Sequence, residues 1–434
     1  MREILETRHE ARVQAPGSAS SVTQADPIVV IGAGYAGVTA ANRIRARFTA
    51  SEAERWPVTL VSPEPYLVDR VRLHEVAAGT LSDARVPLDG IVHPGVRRIR
   101  GTVSHIDHTA KQLHLAPTPD TPQPASIRYS GAIIAVGSGA DGAAPDPAWH
   151  GVHNLAAAER LRAALAAGGP TAVTGQEFPV TEVRVIGGGT TGVELSAELA
   201  SSPDPLRVSL WGSASNFAGI PGRGQLRLQS ILAGLGVALR PGVRVDTSVT
   251  ERERAHTNGG GGRAQPGDGG MLTVWAGSLA VPALGRASGL PVDEAGRIQT
   301  DETLQVQGMP GLYAAGDAAV VQGARGQHLR MSCAAAIPLG GHAADNLLAR
   351  LRGVPQRPVD VGFFQWCISL GREQALLQPV SRGDRPTGFA LTGAPAVWMK
   401  RWICRGILRW PAREAQRPGS APRIPAPRTA REAR

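Results

Sequence analysis

At 434 residues the chain has room for two to four domains of roughly 100–200 residues, with a core large enough to need no disulfide staples. Hydrophobic residues make up 42% and charged residues 19%, and no apolar run reaches the ~18 residues that cross a bilayer, which excludes an integral helical membrane protein. The net charge of +10 is concentrated in residues 398–434, where Lys400 and nine arginines face Glu414 and Glu432, so a nearly neutral body gives no case for a nucleic-acid groove.

Residues 1–26 mix acids and bases and hold no apolar h-region, so they read as a disordered N-terminus rather than a secretory signal, and the chain is expected in the cytoplasm. VVIGAGYAGVTAANRI (29–44) then runs from a β-branched strand through a glycine turn into an Ala-rich helix, and the strand VTLVS (58–62) completes a βαβ unit. PTPDTPQPAS (117–126) reads as a turn between hairpin strands, and IRYSGAIIAVGS (127–138) as a buried strand ending in small residues. VRVIGGGTTGVELSAEL (183–199) and VSLWG (208–212) repeat the first unit. ERERAHTNGGGGRAQPGDGG (251–270) reads as a solvated loop and MLTVWAGSL (271–279) as another strand. The last 24 residues, rich in Pro and Arg, read as disordered.

Each glycine run follows a strand and opens a helix, the context in which GxGxxG binds a dinucleotide. In the first, Gly32 permits the tight turn, Gly34 lets the backbone approach a pyrophosphate, and Gly37 packs helix on strand; Gly187, Gly189 and Gly192 repeat the spacing. The ribose carboxylate expected at the end of the following strand is missing from both copies, where Ser62 and Gly212 stand. Glu64, two residues past Ser62, is within reach of a ribose hydroxyl or is a solvated loop acid; NADH and NADPH are not distinguished. Cys333, Cys367 and Cys404 are too far apart for a local metal knuckle or redox dithiol, so no metal is expected, and all the basic residues except Lys111 and Lys400 are arginines.

In the order GAGYAG, AVGS, GGGTTGVE, VWAGS and GLYAAGDAA (311–319), the sequence resembles the two-dinucleotide pyridine nucleotide flavoproteins over roughly residues 27–350. YLVDRVRLHEVAAG (66–79) and the C-terminal third are most similar to the type II NADH dehydrogenase-like FAD oxidoreductases. The resemblance implies an α/β fold of two Rossmann-like, doubly wound domains, the second inserted in the first. An FAD domain would span 27–140 and 290–350, and an NAD(P)H domain 141–289. A C-terminal region over 351–410 and a disordered basic tail over 411–434 would follow. It also implies an FAD-dependent NAD(P)H oxidoreductase that passes hydride from nicotinamide to flavin and electrons to a quinone or other small acceptor. A ferredoxin-type reductase and a non-enzymatic flavin redox sensor are the rivals.

By that resemblance Asp317 and Gly316 hold the ribityl or pyrophosphate region, with Ala33, Ser62, Glu64, Arg72 and Val103 as further FAD contacts. The helix starting near Ser332 or Cys333 points its N-terminus at the flavin, and Glu194 of GVE lies near the nicotinamide. Arg70, Arg72, His74 and Glu75 stand where related reductases carry cysteines, and His74, titrating near neutrality, is the candidate proton donor or a satisfied surface or helix histidine. Family quinone oxidoreductases carry glutamines where this chain reads CAAAIP (333–338), with Ala334 and Pro338 in those places. In PAVWMKRWICRGILRW (395–410), Met399, Trp402, Ile403, Ile407 and Trp410 form one helical stripe and Arg401, Arg405 and Arg409 another. That helix reads as a peripheral membrane anchor on the inner face, or as a helix docked on the core or on the partner of a homodimer.

Overall fold

The computed structural model describes residues 25–117, 124–139, 148–167, 169–170, 177–178, 180–203, 206–214, 216–243, 270–277, 279–321 and 329–427. The expectations for the N-terminus before residue 25, nearly all of the 251–270 loop, most of the 117–126 turn and the last seven residues lie outside these.

The first glycine strand, Ile28–Ile31, sits in the middle of a five-stranded parallel sheet. Its strands are ordered Leu312–Ala314, Gly131–Ile134, Ile28–Ile31, Val58–Ser62 and Val96–Arg100. Ile28–Ile31 and Gly131–Ile134 are buried at every position, as parallel strands are when both faces are covered. Helix Cys333–Leu351 lies on the first glycine helix, Tyr35–Arg47, so closely that a Cβ on Gly340 would stand 2.2 Å from the Ala36 carbonyl oxygen.

A second parallel sheet repeats the plan, ordered His150–Gly151, Gly270–Trp275, Val180–Ile186, Arg207–Trp211 and Ala238–Arg240, again with the glycine strand central. The chain enters it after Gly131–Ile134 and returns through Leu312–Ala314, which pairs with Gly131–Ile134. The second unit is therefore inserted in the first, and each sheet centres its own hydrophobic core. Ala-rich helices and β-branched strands with small-residue ends give this alternation directly.

Two expectations are corrected. The run IRYSGAIIAVGS is two strands: Ser126–Arg128 pairs antiparallel with Gln112–Leu115, and Gly131–Ile134 enters the parallel sheet. Between them the Tyr129 and Ser130 amides donate to the carbonyls of Lys111 and Pro27, so the chain changes sheets there; a continuous apolar run does not reveal such a corner. Residues 411–427 are also packed rather than loose. Helix Ala394–Arg413 runs through Pro411, and the next residue, Glu414, is wholly buried against Arg43 Nε and Nη2, both at 2.8 Å. Glu414 also accepts the Gly419 and Ala421 amides. Composition read this stretch as disordered because its ordering partner, Arg43, is remote in sequence.

An antiparallel sheet of Gln365–Ser369, Ala375–Pro379 and Leu391–Thr392 seats the C-terminal helix. The expected apolar stripe divides: Ile407 is buried, Met399, Ile403 and Trp410 pack on the body, and Trp402 remains about half exposed. The outward face is instead Trp398, Arg401, Trp402, Arg405 and Arg409.

Candidate active site

The two glycine turns have nearly the same geometry. Gly32 (φ +103) and Gly187 (φ +134) adopt backbone conformations reserved for glycine, with no room for a Cβ against the carbonyl oxygens of Ala135 and Ala276. A Cβ on Gly37 would lie 1.8 Å from Gly32 O, and one on Gly192 1.9 Å from Gly187 O, so each third glycine lets its helix pack on the turn. Gly34 and Gly189, by contrast, face open space. Both are N-caps of their helices, Tyr35–Arg47 and Thr190–Ala200, with no side-chain cap and no acid in the first turn. The first amides of each helix are left for an external anion, and a pyrophosphate supplies one. Both turns have the local geometry that a dinucleotide's pyrophosphate requires.

At the end of strand Val58–Ser62, a cavity of about 350 Å³ is lined by Ser62, Glu64, Asp89, Arg98 and Arg100 among others. Leu60 and Val96 line it as well, so it runs along the face of strands Val58–Ser62 and Val96–Arg100 and reaches Ser62 and Arg100 at their carboxyl ends, the end at which open α/β sheets bind ligands. Ser62 is buried and Glu64 lies 3.9 Å from Arg100. Ala33 and Val103 bury their side chains in the first core, leaving their main-chain groups as the parts able to meet a ligand.

Gly316 is wedged beside the first glycine helix, where its Cβ would stand 3.2 Å from that of Ala36. Asp317 follows it, and Ser138 Oγ donates to its Oδ2 at 2.7 Å. Arg70 donates to the Ser138 carbonyl, and burial lowers the Arg70 pKa although the Asp317 carboxylate opposes this. The structure thus brings together Asp317, Ser138 and Arg70 beside the first turn. Arg72 turns away into a paired contact with Glu75, at 3.0 and 2.6 Å. Tyr35, inside the glycine motif, donates to the buried Asp69 at 2.7 Å. Ser138 and Asp69 escaped the sequence reading; the AVGS motif held the only signal for the first.

Glu194 lies on the second glycine helix and is largely buried. Its Oε1 accepts from the Ser369 amide at 2.9 Å and from Lys400 Nζ at 2.8 Å. Burial opposes ionisation of both groups, but the ion pair outweighs it: Glu194 is held below the usual carboxylate pKa and Lys400 above the usual lysine pKa. The pair ties the second glycine helix to the C-terminal helix. Lys400 was not anticipated, although a lysine among arginines was a signal.

His74 is 4% exposed and, among the described residues, its Nε2 has no hydrogen-bond partner. Burial lowers its pKa, with Lys400 adding to the effect and Glu194 opposing it. The expected titration near neutrality is therefore shifted down, and the ring is neutral at pH 7. A base with a depressed folded pKa takes up a proton on unfolding, so its stabilisation is full above the unfolded pKa of ~6.5 and is lost as pH falls towards the folded value, at up to about 1.4 kcal/mol per pH unit. Urea midpoints at pH 7.5 and 5.5 should differ less for His74→Leu than for the parent; an equal difference in both would show that His74 does not carry the effect.

Helix Cys333–Leu351 starts at Ser332, whose Oγ accepts the Ala335 amide. Pro338 removes the donor that would pair with the Ala334 carbonyl, and Ala334 is exposed. The three cysteines are unpaired. Burial pushes Cys333 up to about 11, Cys367 up to about 12 and Cys404 upwards, so none is a thiolate at neutral pH. Among the described residues there is no His, Cys, Asp and Glu group suited to a metal.

Two doubly wound units, one inserted in the other and each with an open glycine turn, define a two-nucleotide flavoprotein reductase. The chain belongs to the pyridine nucleotide-disulphide oxidoreductase family, whose pattern matches residues 26–340, and is an FAD-dependent NAD(P)H oxidoreductase. An NADH dehydrogenase-like protein of Mycobacterium tuberculosis is 29% identical over 80% of this chain and 86% of its own length. A type II NADH:quinone oxidoreductase of the same species, NdhA, is 25% identical over 71% of this chain and 70% of its own length. The fold also matches NDH2 of Plasmodium falciparum, solved in complex with NADH, at a TM-score of 0.67 and 14% identity, over 92% of this chain and 99% of that one.

Proposed function

We propose that this oxidoreductase delivers its electrons to a quinone at a membrane surface, with FAD on the first glycine turn and the nicotinamide nucleotide on the second. The observation that carries the two-site reading is the matched pair of open glycines, Gly34 and Gly189, each at an uncapped helix start. FAD supplies the hydride acceptor and electron store when bound; the chain supplies binding, orientation and charge. Asp317 and Gly316 hold the flavin's polyol chain, with Ser138 and Arg70 fixing the Asp317 carboxylate. Glu194, with Oε1 held by Lys400 and Ser369, offers Oε2 to the nicotinamide carboxamide. His74, neutral and without an Nε2 partner among the described residues, would relay the proton that quinone reduction needs beyond the transferred hydride.

The acceptor assignment rests on the quinone oxidoreductase relatives and on the C-terminal region, against the missing glutamines at Ala334 and Pro338. The helix that supplies Lys400 to the interior presents Trp398 (64% exposed) and Trp402 (51%) outward beside Arg401, Arg405 and Arg409. Aromatic and basic side chains on one helical face suit an anionic lipid interface, each basic group adding about 1 kcal/mol near the surface at low ionic strength. No described helix is long and apolar enough to cross a membrane, so the contact would be peripheral. The test is reoxidation of NADH-reduced enzyme by a soluble short-chain quinone, together with sedimentation on anionic vesicles. Rapid reoxidation is expected in wild type and in Trp398→Ser/Trp402→Ser, and the double variant should lose salt-sensitive vesicle binding while keeping its flavin. Reoxidation by ferredoxin and not by quinone would move the acceptor to a redox protein.

A further inference from the structure

We propose that the second nucleotide site accepts NADPH as well as NADH, with Arg240 as the residue that determines this; the proposal rests on the two-site reading above. NADH sites of this fold place a carboxylate at the end of the strand after the glycine helix, where it binds the ribose 2′-hydroxyl and repels a 2′-phosphate. Here the strand Arg207–Trp211 pairs in register with the glycine strand, Trp211 opposite Ile186, and the next residue is Gly212. This position cannot regain a carboxylate cheaply: a Cβ on Gly212 would stand 3.0 Å from the Phe217 ring and 3.1 Å from the Gly188 Cα in the glycine turn. Residues 213–217, Ser-Ala-Ser-Asn-Phe, supply no acid either.

The neighbouring strand brings an arginine to this turn through its main chain. Arg240 ends strand Ala238–Arg240 opposite Trp211, and its carbonyl accepts the Gly212 amide at 3.1 Å. Its side chain is exposed, and among the described residues its guanidinium bonds only the adjacent Leu239 carbonyl, with no carboxylate to neutralise it. The nearest charge pair on these strands, Arg207 with Glu182, lies at their opposite ends. A guanidinium beside a hydroxyl-bearing, acid-free turn is the chemistry that receives a phosphate dianion.

Anaerobic stopped-flow reduction of the FAD-loaded enzyme with NADH and with NADPH decides the matter. Wild type should show efficiencies of flavin reduction by the two nucleotides within about tenfold of each other, and Arg240→Glu should lower the NADPH-to-NADH ratio by about tenfold or more. Arg240→Gln, which removes the charge without reversing it, should fall between and guards against a misfolded variant. A wild-type deficit for NADPH beyond that tenfold, or a ratio unmoved by both substitutions, overturns the proposal. Failure of both nucleotides to bleach the flavin would instead bring down the two-site reading and this proposal with it.

Discussion

Asp317→Ala is expected to emerge from purification largely without flavin, yet folded. Asp317 follows the strand that returns the chain to the first unit, with Ser138 Oγ on its Oδ2 and the part-buried Arg70 close by. Its remaining acceptor capacity is available to ligand hydroxyls. Each hydrogen bond to a charged group contributes about 1.5–3 kcal/mol, so losing one or two weakens retention by roughly 10- to 20,000-fold at 1.4 kcal/mol per decade. The Asp317 side chain is not part of the hydrophobic core, and the fold should survive, which circular dichroism would check. Asp317→Asn should retain part of the flavin. An Asp317→Ala protein with wild-type flavin content would refute the assignment of the AGD segment.

Glu414→Ala should have the largest effect on stability. Glu414 is fully buried and bidentate to Arg43, whose side chain is 10% exposed and whose other partner is Asp345 at 3.2 Å. Removing one member of a buried pair leaves the other charge uncompensated, at a cost of about 3–5 kcal/mol. The Gly419 and Ala421 amides would lose their acceptor as well. The pair holds the end of the chain against the helix of the first glycine turn, so the urea midpoint should fall and the flavin should be lost more readily on dilution. Glu414→Gln, able to accept the same amides, should lie between. A loss below about 1 kcal/mol would mean that residues 414–427 contribute little to the folded state.

What the sequence revealed and what it hid follow from the range of the interactions. The glycine turns were legible because a tight turn, a close backbone approach and a helix contact demand glycine at fixed local spacing, and Gly32, Gly37, Gly187 and Gly192 meet those demands. The polar cluster was only half legible: His74, Glu194 and Asp317 stood out as motif members, whereas their partners Lys400 and Ser138 arrive from elements 206 and 179 residues away. Charge patterning on the C-terminal helix was read correctly as a basic face, but helical spacing alone could not tell that Ile403, Ile407 and Trp410 face the body while Trp398 and Trp402 face out. The Pro- and Arg-rich end looked unstructured for the same reason, its anchor being Arg43.

The central claim is that reducing equivalents enter through the second glycine turn and reach a flavin held by the first. Gly189 allows a clean test, since it has an ordinary extended conformation (φ −74, ψ −179) and nothing within 4 Å of where a Cβ would stand. Gly189→Leu should therefore fold and keep its FAD while its side chain occupies the space meant for the pyrophosphate. Anaerobic mixing with NADH should bleach the wild-type flavin completely, and bleach the variant at least about 100-fold less efficiently, the loss expected when about 2.7 kcal/mol of binding is removed. Reduction of the variant at the wild-type rate, or loss of FAD from it, would contradict the account.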